Sequence, residues 1–435
     1  MRDSSGRTTA WRVAGLAAAA LAFGAGPVRG EDAKAGTAAA PAAAPDSAAT
    51  PSAPWKPAVA SKPLSDNVKK GLSWLAKAQL DSGAWGQGEE SSAMGGTRLA
   101  TPSVADTCVA ALALSRSGST PKQGDYAKSV LKAVEFVCSE IESAKMETLF
   151  ITEHRGTRVQ SKIGQFVDTF MASMFLSEMK GQMPDAKSEA RLAAAIEKVM
   201  KKMTDNIRKD GGWGDSAWAS RVGESVGRKG MQRSISGVSA DTAKAAGPAL
   251  AIISEGARSE IDAKSGNFKA GGDAGVGLYA AGATIASLQE ADNNNVKREQ
   301  DARTVLETSK DDAMRKDAQA VLDDVAKTRE ALKIARVAVS KKMDDERFIA
   351  GFGSNGGEEF LSHLNIGESL VVKGGPEWDK WDKKMTENMN RAQNQDGTWT
   401  GQHCITGRTF CTSTALLVLL VDRAPVPVSG EMRRR

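Results

Sequence analysis

Histidine, tyrosine and cysteine are scarce in this 435-residue chain, which holds three, two and four of them. Three histidines restrict an imidazole-based metal site or catalytic dyad to a few combinations. Aromatic side chains make up 5% of the sequence, with 9 Trp and 11 Phe beside the two Tyr. A large cation-stabilising cavity needs more, because several of these rings are committed to turns. Beyond residue 26 no apolar run is long enough to cross a bilayer. A strong charge of one sign is also missing. The formal net charge is +5, and residues 1–30 supply four Arg against one Asp, so the rest of the chain carries 54 basic and 52 acidic residues. Such balance argues against nucleic acid or a membrane surface as partner. Alternating strand-type patterns are absent too, which leaves helical periodicity to organise the fold.

Residues 1–30 read as an export signal: Arg2, Arg7 and Arg12 precede the apolar, Ala-rich run Val13 to Gly26, and Val28-Arg29-Gly30 suits cleavage before Glu31. The expected product is exported, periplasmic or extracellular, with no integral membrane anchor after signal removal. Residues 31–62, mostly Ala, Pro, Ser and Lys, read as a disordered linker. The ordered domain is expected over 63–423 and a flexible tail over 424–435. In an oxidising compartment Cys108, Cys138, Cys404 and Cys411 allow two bridges in three pairings, among which the sequence does not choose.

An internal repeat organises the ordered part. Trp85, Trp213 and Trp399 each end a Gly-x-Trp turn, 128 and 186 residues apart, about two and three units of ~63 residues. Asp106-Thr107 and Asp168-Thr169 open Ala- and Met-rich helices 62 residues apart. The period predicts six helical hairpins. Their first helices are expected near 65–80, 124–144, 186–206, 239–254, 300–345 and 376–393, and their second helices near 104–116, 163–179, 219–234, 273–289, 357–372 and 408–421. The second set is apolar or small-residue-rich all round and should be buried; the first is amphipathic. Residues 291–348 form a charged helical insertion in which Val321, Val325, Leu332, Ala335 and Val339 keep an apolar stripe.

The stretch Lys70-Gly71-Leu72-Ser73-Trp74-Leu75-Ala76-Lys77-Ala78-Gln79-Leu80-Asp81-Ser82-Gly83-Ala84-Trp85 resembles the QW repeat of squalene–hopene cyclases and related triterpene cyclases. Gln393, Gly397 and Trp399 form a partial second copy, and Gly211 with Trp213 a third in which Ile207 replaces Gln. The chain is similar to the prenyltransferase/squalene-cyclase superfamily, and in particular to exported bacterial prenyltransferase/squalene-oxidase-repeat proteins of unassigned activity. In those, stretches like Gly356 to Phe360 and His403 to Arg408 are typical. The resemblance implies an all-α fold, an (α/α)6 toroid whose inner helices ring a central cavity. In the motif, Gln79 is expected to bond helix-end carbonyls, Gly83 to take positive φ, and Trp85 to cover the preceding helix.

The chemistry of the family is only partly represented. The Asp-x-Asp-Asp acid of triterpene cyclases is absent. The pairs Asp311-Asp312, Asp323-Asp324 and Asp344-Asp345 do not extend to a magnesium-binding Asp-Asp-x-x-Asp either. The resemblance to protein prenyltransferases suggests one zinc set, Asp106 and Cys108 of an Asp-x-Cys with His403; the alternative makes Asp106 a helix cap and Cys108 core. Ionisable residues on the buried helices imply a polar cavity. Glu358 and Glu359 with His403 are candidates for acid–base catalysis, and Arg221, Glu224, His363 and Arg408 for ligand binding. The sequence therefore reads as a ligand- or peptide-binding toroid without cyclase chemistry. The alternative is an enzyme, either a zinc-dependent prenyl-type transferase or a hydrolase or lyase using His403 with Glu358 or Glu359.

Overall fold

The computed structural model describes residues 57–88, 101–214, 216–269, 273–428 and 431–433; the export signal and most of the linker expected from the sequence lie outside these. The described chain is all-helical, apart from one short C-terminal hairpin. In order the helices are α1 (Asp66–Lys77), α2 (Val104–Arg116), α3 (Ala127–Ser143), α4 (Arg158–Ile163), α5 (Val167–Met179), α6 (Ala186–Asp205) and α7 (Ser220–Ser234). They continue with α8 (Ala240–Ser259), α9 (Gly277–Thr308), α10 (Asp312–Lys342), α11 (Glu346–Ile349), α12 (Gly357–Val371), α13 (Pro376–Ala392) and α14 (Arg408–Leu419).

Two sets of helices follow from composition. The helices α2, α5, α7, α12, α14 and the first half of α9 are buried along almost their whole length, whereas α1, α3, α6, α8, α10 and α13 bury one stripe each. The buried helices pack in chain order, α2 on α5, then α7, α9, α12 and α14, and α14 packs back on α2. The amphipathic helices lie against them and touch one another in order from α3 to α13. Close approach within the buried set depends on missing side chains. A Cβ on Gly223 of α7 would fall 1.9 Å from the Ile163 carbonyl oxygen, and one on Gly227 would fall 2.7 Å from the Phe170 ring.

The three tryptophan turns share one geometry. The indole nitrogens of Trp85, Trp213 and Trp399 donate to the carbonyls of Leu75 (2.8 Å), Met203 (2.9 Å) and Met389 (2.8 Å), each ten residues upstream. Their backbone N–H groups donate to Thr107 Oγ1, Glu224 Oε1 and Thr412 Oγ1 at the start of the following buried helix. Each turn thus ties an amphipathic helix to the buried helix after it, and satisfies the polar atoms of a buried ring. Gly83 has φ +89° and Gly397 φ +90°. Gln79 Nε2 donates to the carbonyls of Gly83 (2.8 Å) in the turn and Ser129 (2.9 Å) in the first turn of α3, so it joins two units where the expectation was a bond to carbonyls at a helix end.

Four expectations need correction. Residues 57–62 belong to the packed body and not to a linker: Ser61 Oγ donates to the Asp422 carbonyl at 3.2 Å and Lys62 N to Asp422 Oδ2 at 2.6 Å. The segment 291–348 is no separate insertion. Helix α9 runs on unbroken from the buried layer to Thr308, and α10 returns along it, burying Val325, Leu332, Ala335 and Val339 while Val321 is half-buried. The tail is no loose end, since Val426–Val428 pairs antiparallel with Glu431–Arg433 (β1 and β2). The four cysteines are free thiols.

At one end of the buried helices, six charged side chains from five helices meet. Arg116 Nη2 lies 2.7 Å from Glu178 Oε1, and Arg116 Nη1 2.5 Å from Glu368 Oε1. Lys229 Nζ lies 2.7 Å from Glu368 Oε2. Arg233 reaches Glu178 (2.9 Å), Glu290 (2.6 Å) and Glu368 (3.1 Å). All six are buried. Burial opposes charge on Glu368, but Arg116, Lys229 and Arg233 outweigh it and hold the carboxyl well below its ordinary range. Three cations thus face three carboxylates, and the links α2–α12 and α7–α12 run between helices that are not consecutive in the packing order.

Candidate functional site

The opposite end of the buried helices gathers a second polar group. Glu358 and Glu359 occupy the first turn of α12, where the helix dipole favours negative charge. His403 and Cys404 sit in the loop before α14. Two backbone bonds clamp this loop to the start of α12: Gly357 N donates to Ile405 O (3.0 Å) and Gln402 N to Asn355 O (2.8 Å). Cys404 takes φ +48°, a conformation that non-glycine residues rarely adopt. Its carbonyl accepts two bonds from the Arg158 guanidinium, at 3.1 Å from Nε and 2.8 Å from Nη2, which hold the peptide in place.

Within the cluster His403 Nε2 lies 2.9 Å from the Ser354 carbonyl and donates to it. His403 Nδ1 stands 3.8 Å from Glu358 Oε1, and Nε2 stands 3.5 Å from Glu359 Oε2. Glu358 Oε2 accepts from Ile405 N at 3.2 Å. Glu359 Oε1 accepts from the Tyr279 hydroxyl and from Phe352 N at 3.1 Å. Glu358 Oε1, Glu359 Oε2 and His403 Nδ1 are buried without a hydrogen-bond partner. Burial, then the neighbouring Glu358, push Glu359 up to about 7; burial also raises Glu358. Burial and Glu358 push the Cys404 thiol up to about 12.

Two exposed rings flank the cluster. Phe352, 51% exposed, meets the His403 ring edge-on at 5.3 Å between centroids, and Trp218, 41% exposed, meets Phe352 at 5.4 Å. Together they make an aromatic rim leading to a histidine that keeps 16% of its side-chain surface in solvent.

The structure brings Glu358, Glu359 and His403 together as the sequence suggests, and adds Cys404, Tyr279, Phe352, Trp218 and Arg158. It does not bring Asp106 and Cys108 to His403. Among the described residues, the acidic, His and Cys side chains whose donor atoms lie mutually within 4.8 Å are Glu358, His403 and Cys404. Asp106 accepts the Ser103 hydroxyl at 2.6 Å, and burial followed by the nearby Asp168 pushes it up to about 7. The cap of α2 is Ser103, not Asp106; Asp168 in turn caps α2 from the neighbouring helix, accepting from Ala105 N at 2.9 Å. Cys108 is buried in the core, and burial raises its thiol.

The four candidate ligand-binding residues are engaged elsewhere. Arg221 pairs with Glu260 and with Asp273 (3.3 Å). Glu224 accepts from the Trp213 turn and pairs with Arg228 at 3.4 Å. Arg408 pairs with Asp396 of the Trp399 turn at 2.7 Å. His363 is buried, with Nε2 donating to the Ile349 carbonyl at 3.1 Å, and burial lowers its pKa to about 4. Trp378 and Trp381 stack on each other at 5.4 Å inside the core and offer no face to a ligand. No signal in the sequence separates Tyr279 or Phe352 from other aromatic residues, because a contact across helices leaves no local pattern.

Comparison of the chain with protein-family models, curated proteins and solved structures finds no match.

Proposed function

We propose that the protein is an exported (α/α)6 toroid of the QW-repeat type, which binds a polar ligand, a peptide or a sugar, at the mouth framed by Trp218, Phe352 and His403, without cyclase chemistry. The circular packing order of six buried helices and the shared geometry of the three tryptophan turns support the toroid. One observation carries the functional reading. The cluster of Arg116, Glu178, Lys229, Arg233, Glu290 and Glu368 links non-consecutive buried helices and fills one end of the space they enclose with ions, where a hydrocarbon-binding chamber would need apolar lining. A hydrocarbon there would strip ions of their partners, at several kcal/mol each. The mouth instead combines apolar rings with polar groups, the pairing that orients small polar ligands. Export rests on residues 1–30; among the described residues no helix is long and apolar enough to cross a membrane.

Peptide and oligosaccharide arrays, with squalene- and farnesol-loaded vesicles alongside, test this reading. Peptides or sugars should be retained, and the Trp218→Ala/Phe352→Ala double variant should bind at least about tenfold more weakly. Both rings are exposed, so the fold should tolerate the change. Retention of the loaded vesicles alone, or binding indifferent to the two rings, would refute it.

A second reading, an enzyme of hydrolase or lyase type, draws on the 3.5 Å approach of Glu359 Oε2 to His403 Nε2 at the solvent edge. It requires that His403→Ala abolish an activity found by substrate screening while leaving the melting temperature unchanged.

A further inference from the structure

We propose that Glu358, His403 and Cys404 bind one divalent transition-metal ion of the zinc type. This site differs from the Asp106, Cys108 and His403 set suggested by family resemblance, and it does not depend on which ligand the mouth takes.

A carboxylate oxygen, an imidazole nitrogen and a thiol sulfur lie mutually within 4.8 Å. Ligand atoms around a tetrahedral zinc are about 3.5 Å apart, so side-chain rotations alone would close the site. Glu358 Oε1 and His403 Nδ1 are buried without a formed hydrogen bond and stand 3.8 Å apart, with the Cys404 thiol against the same carboxylate; Glu359 Oε2, likewise unpartnered, stands 3.5 Å from Nε2. Orphaned buried acceptors in a native protein call for a missing partner. Glu358 Oε1 and His403 Nδ1 both offer lone pairs toward each other, an arrangement that a cation bridges, while Glu359 Oε2 lies on the Nε2 side of the ring.

At the other end of the buried helices every carboxylate is matched by Arg or Lys. Here, among the described residues, neither Glu358 nor Glu359 has a Lys or Arg within ion-pair distance; His403 is their only basic neighbour. His403 spends Nε2–H on the Ser354 carbonyl, which fixes the tautomer and leaves the Nδ1 lone pair free, the outer-shell arrangement of metal-bound histidines. Arg158 pins the Cys404 peptide, and Gly356 keeps the space clear: a Cβ there would lie 2.9 Å from Glu359 Oε2 and 3.1 Å from His403 Cε1. The donor set selects the ion, because thiolate and imidazole suit zinc and disfavour magnesium or calcium. On binding, the metal–sulfur bond forms as the thiol proton leaves to solvent.

Cobalt(II) added to the chelator-treated full chain tests the site. One equivalent should produce a thiolate-to-cobalt charge-transfer band in the near ultraviolet with visible bands of four-coordinate intensity, and zinc should displace it. Cys404→Gly should fold, because glycine accepts φ +48° without strain. Its metal-free melting temperature should equal or exceed that of the wild type, yet the band should vanish. Cys411→Ser should keep the band, and Glu358→Gln and His403→Gln should each weaken binding by about tenfold or more. The Trp218→Ala/Phe352→Ala variant should bind cobalt normally, which separates this site from ligand binding at the mouth. No band in the wild type, a band that survives Cys404→Gly, or affinity unmoved by both Glu358→Gln and His403→Gln would overturn the proposal.

Discussion

Gln393 of the last amphipathic helix region donates its side-chain amide to the carbonyl of Asn67 in the first, at 2.9 Å across 326 residues of sequence, while also holding Gly397 O at 2.8 Å. Gln79 makes the same pair of bonds to Gly83 and to Ser129 of the next helix. The contact that joins consecutive units therefore also joins the last unit to the first. Gln393→Ala should lower unfolding free energy by about 1–3 kcal/mol, because two carbonyls lose their donor. Gln79→Ala should cost a similar amount. Urea denaturation of both variants checks this; no change in Gln393→Ala would mean that the bond adds nothing to closure.

Glu368 accepts or pairs with Arg116, Lys229 and Arg233. Glu368→Ala should destabilise by about 3–5 kcal/mol, since it strands buried cations. Glu142→Ala, at the exposed pair with Arg191, should change stability by less than about 1 kcal/mol. Equal effects in chemical denaturation would contradict the ranking.

Two buried groups set opposing pH dependences. Asp106 has a folded pKa raised to about 7, so the folded state keeps a proton that the unfolded chain has released. Its contribution falls as pH rises from about 4 to 7, on the order of 4 kcal/mol. Asp106→Asn should match the wild type near pH 4 and exceed its stability at pH 8. For His363, lowered to about 4, the sign reverses: stability is lost as pH falls from about 6.5 to 4. His363→Gln should remove that loss. Melting temperatures across pH for both variants decide the matter.

Glycine positions differ in the same way. Gly223→Ala would drive a Cβ against the Ile163 carbonyl at 1.9 Å and should cost about 3 kcal/mol or more. Gly256 in α8 has only an ordinary contact, 4.0 Å from Asp210 O, so Gly256→Ala should stabilise by about 0.5–1 kcal/mol. A stable Gly223→Ala would show that α7 and α4 can separate.

Helix burial was legible because it is written locally. The Ala-rich run around Ala110 and the amphipathic stripe from Val321 to Val339 announce opposite surroundings; the run is buried throughout, and the stripe is buried from Val325 onward with Val321 half-buried. The end of α9 was not legible: charged residues after Ala291 look like a new segment, yet nothing in them stops a helix. In the site, Glu358, Glu359 and His403 stood out as ionisable residues at helix starts. The same logic selected His363 and Arg221, which turn instead to Ile349 and to Glu260. On a helix buried all round, periodicity cannot tell the side facing a cavity from the side facing a neighbour. The φ of Cys404 is invisible in sequence for another reason, since it is imposed by Arg158, 246 residues away.

The six-membered knot of charge also bears on how such a chain can change length. Its three positive and three negative groups come from α2, α5, α7, α9 and α12, in unequal numbers. Deleting or duplicating the module that carries any one of these helices would leave an unmatched buried ion. Length can change without touching these ions beyond Glu290, where the second half of α9 and all of α10 run, since none of the six groups comes from there.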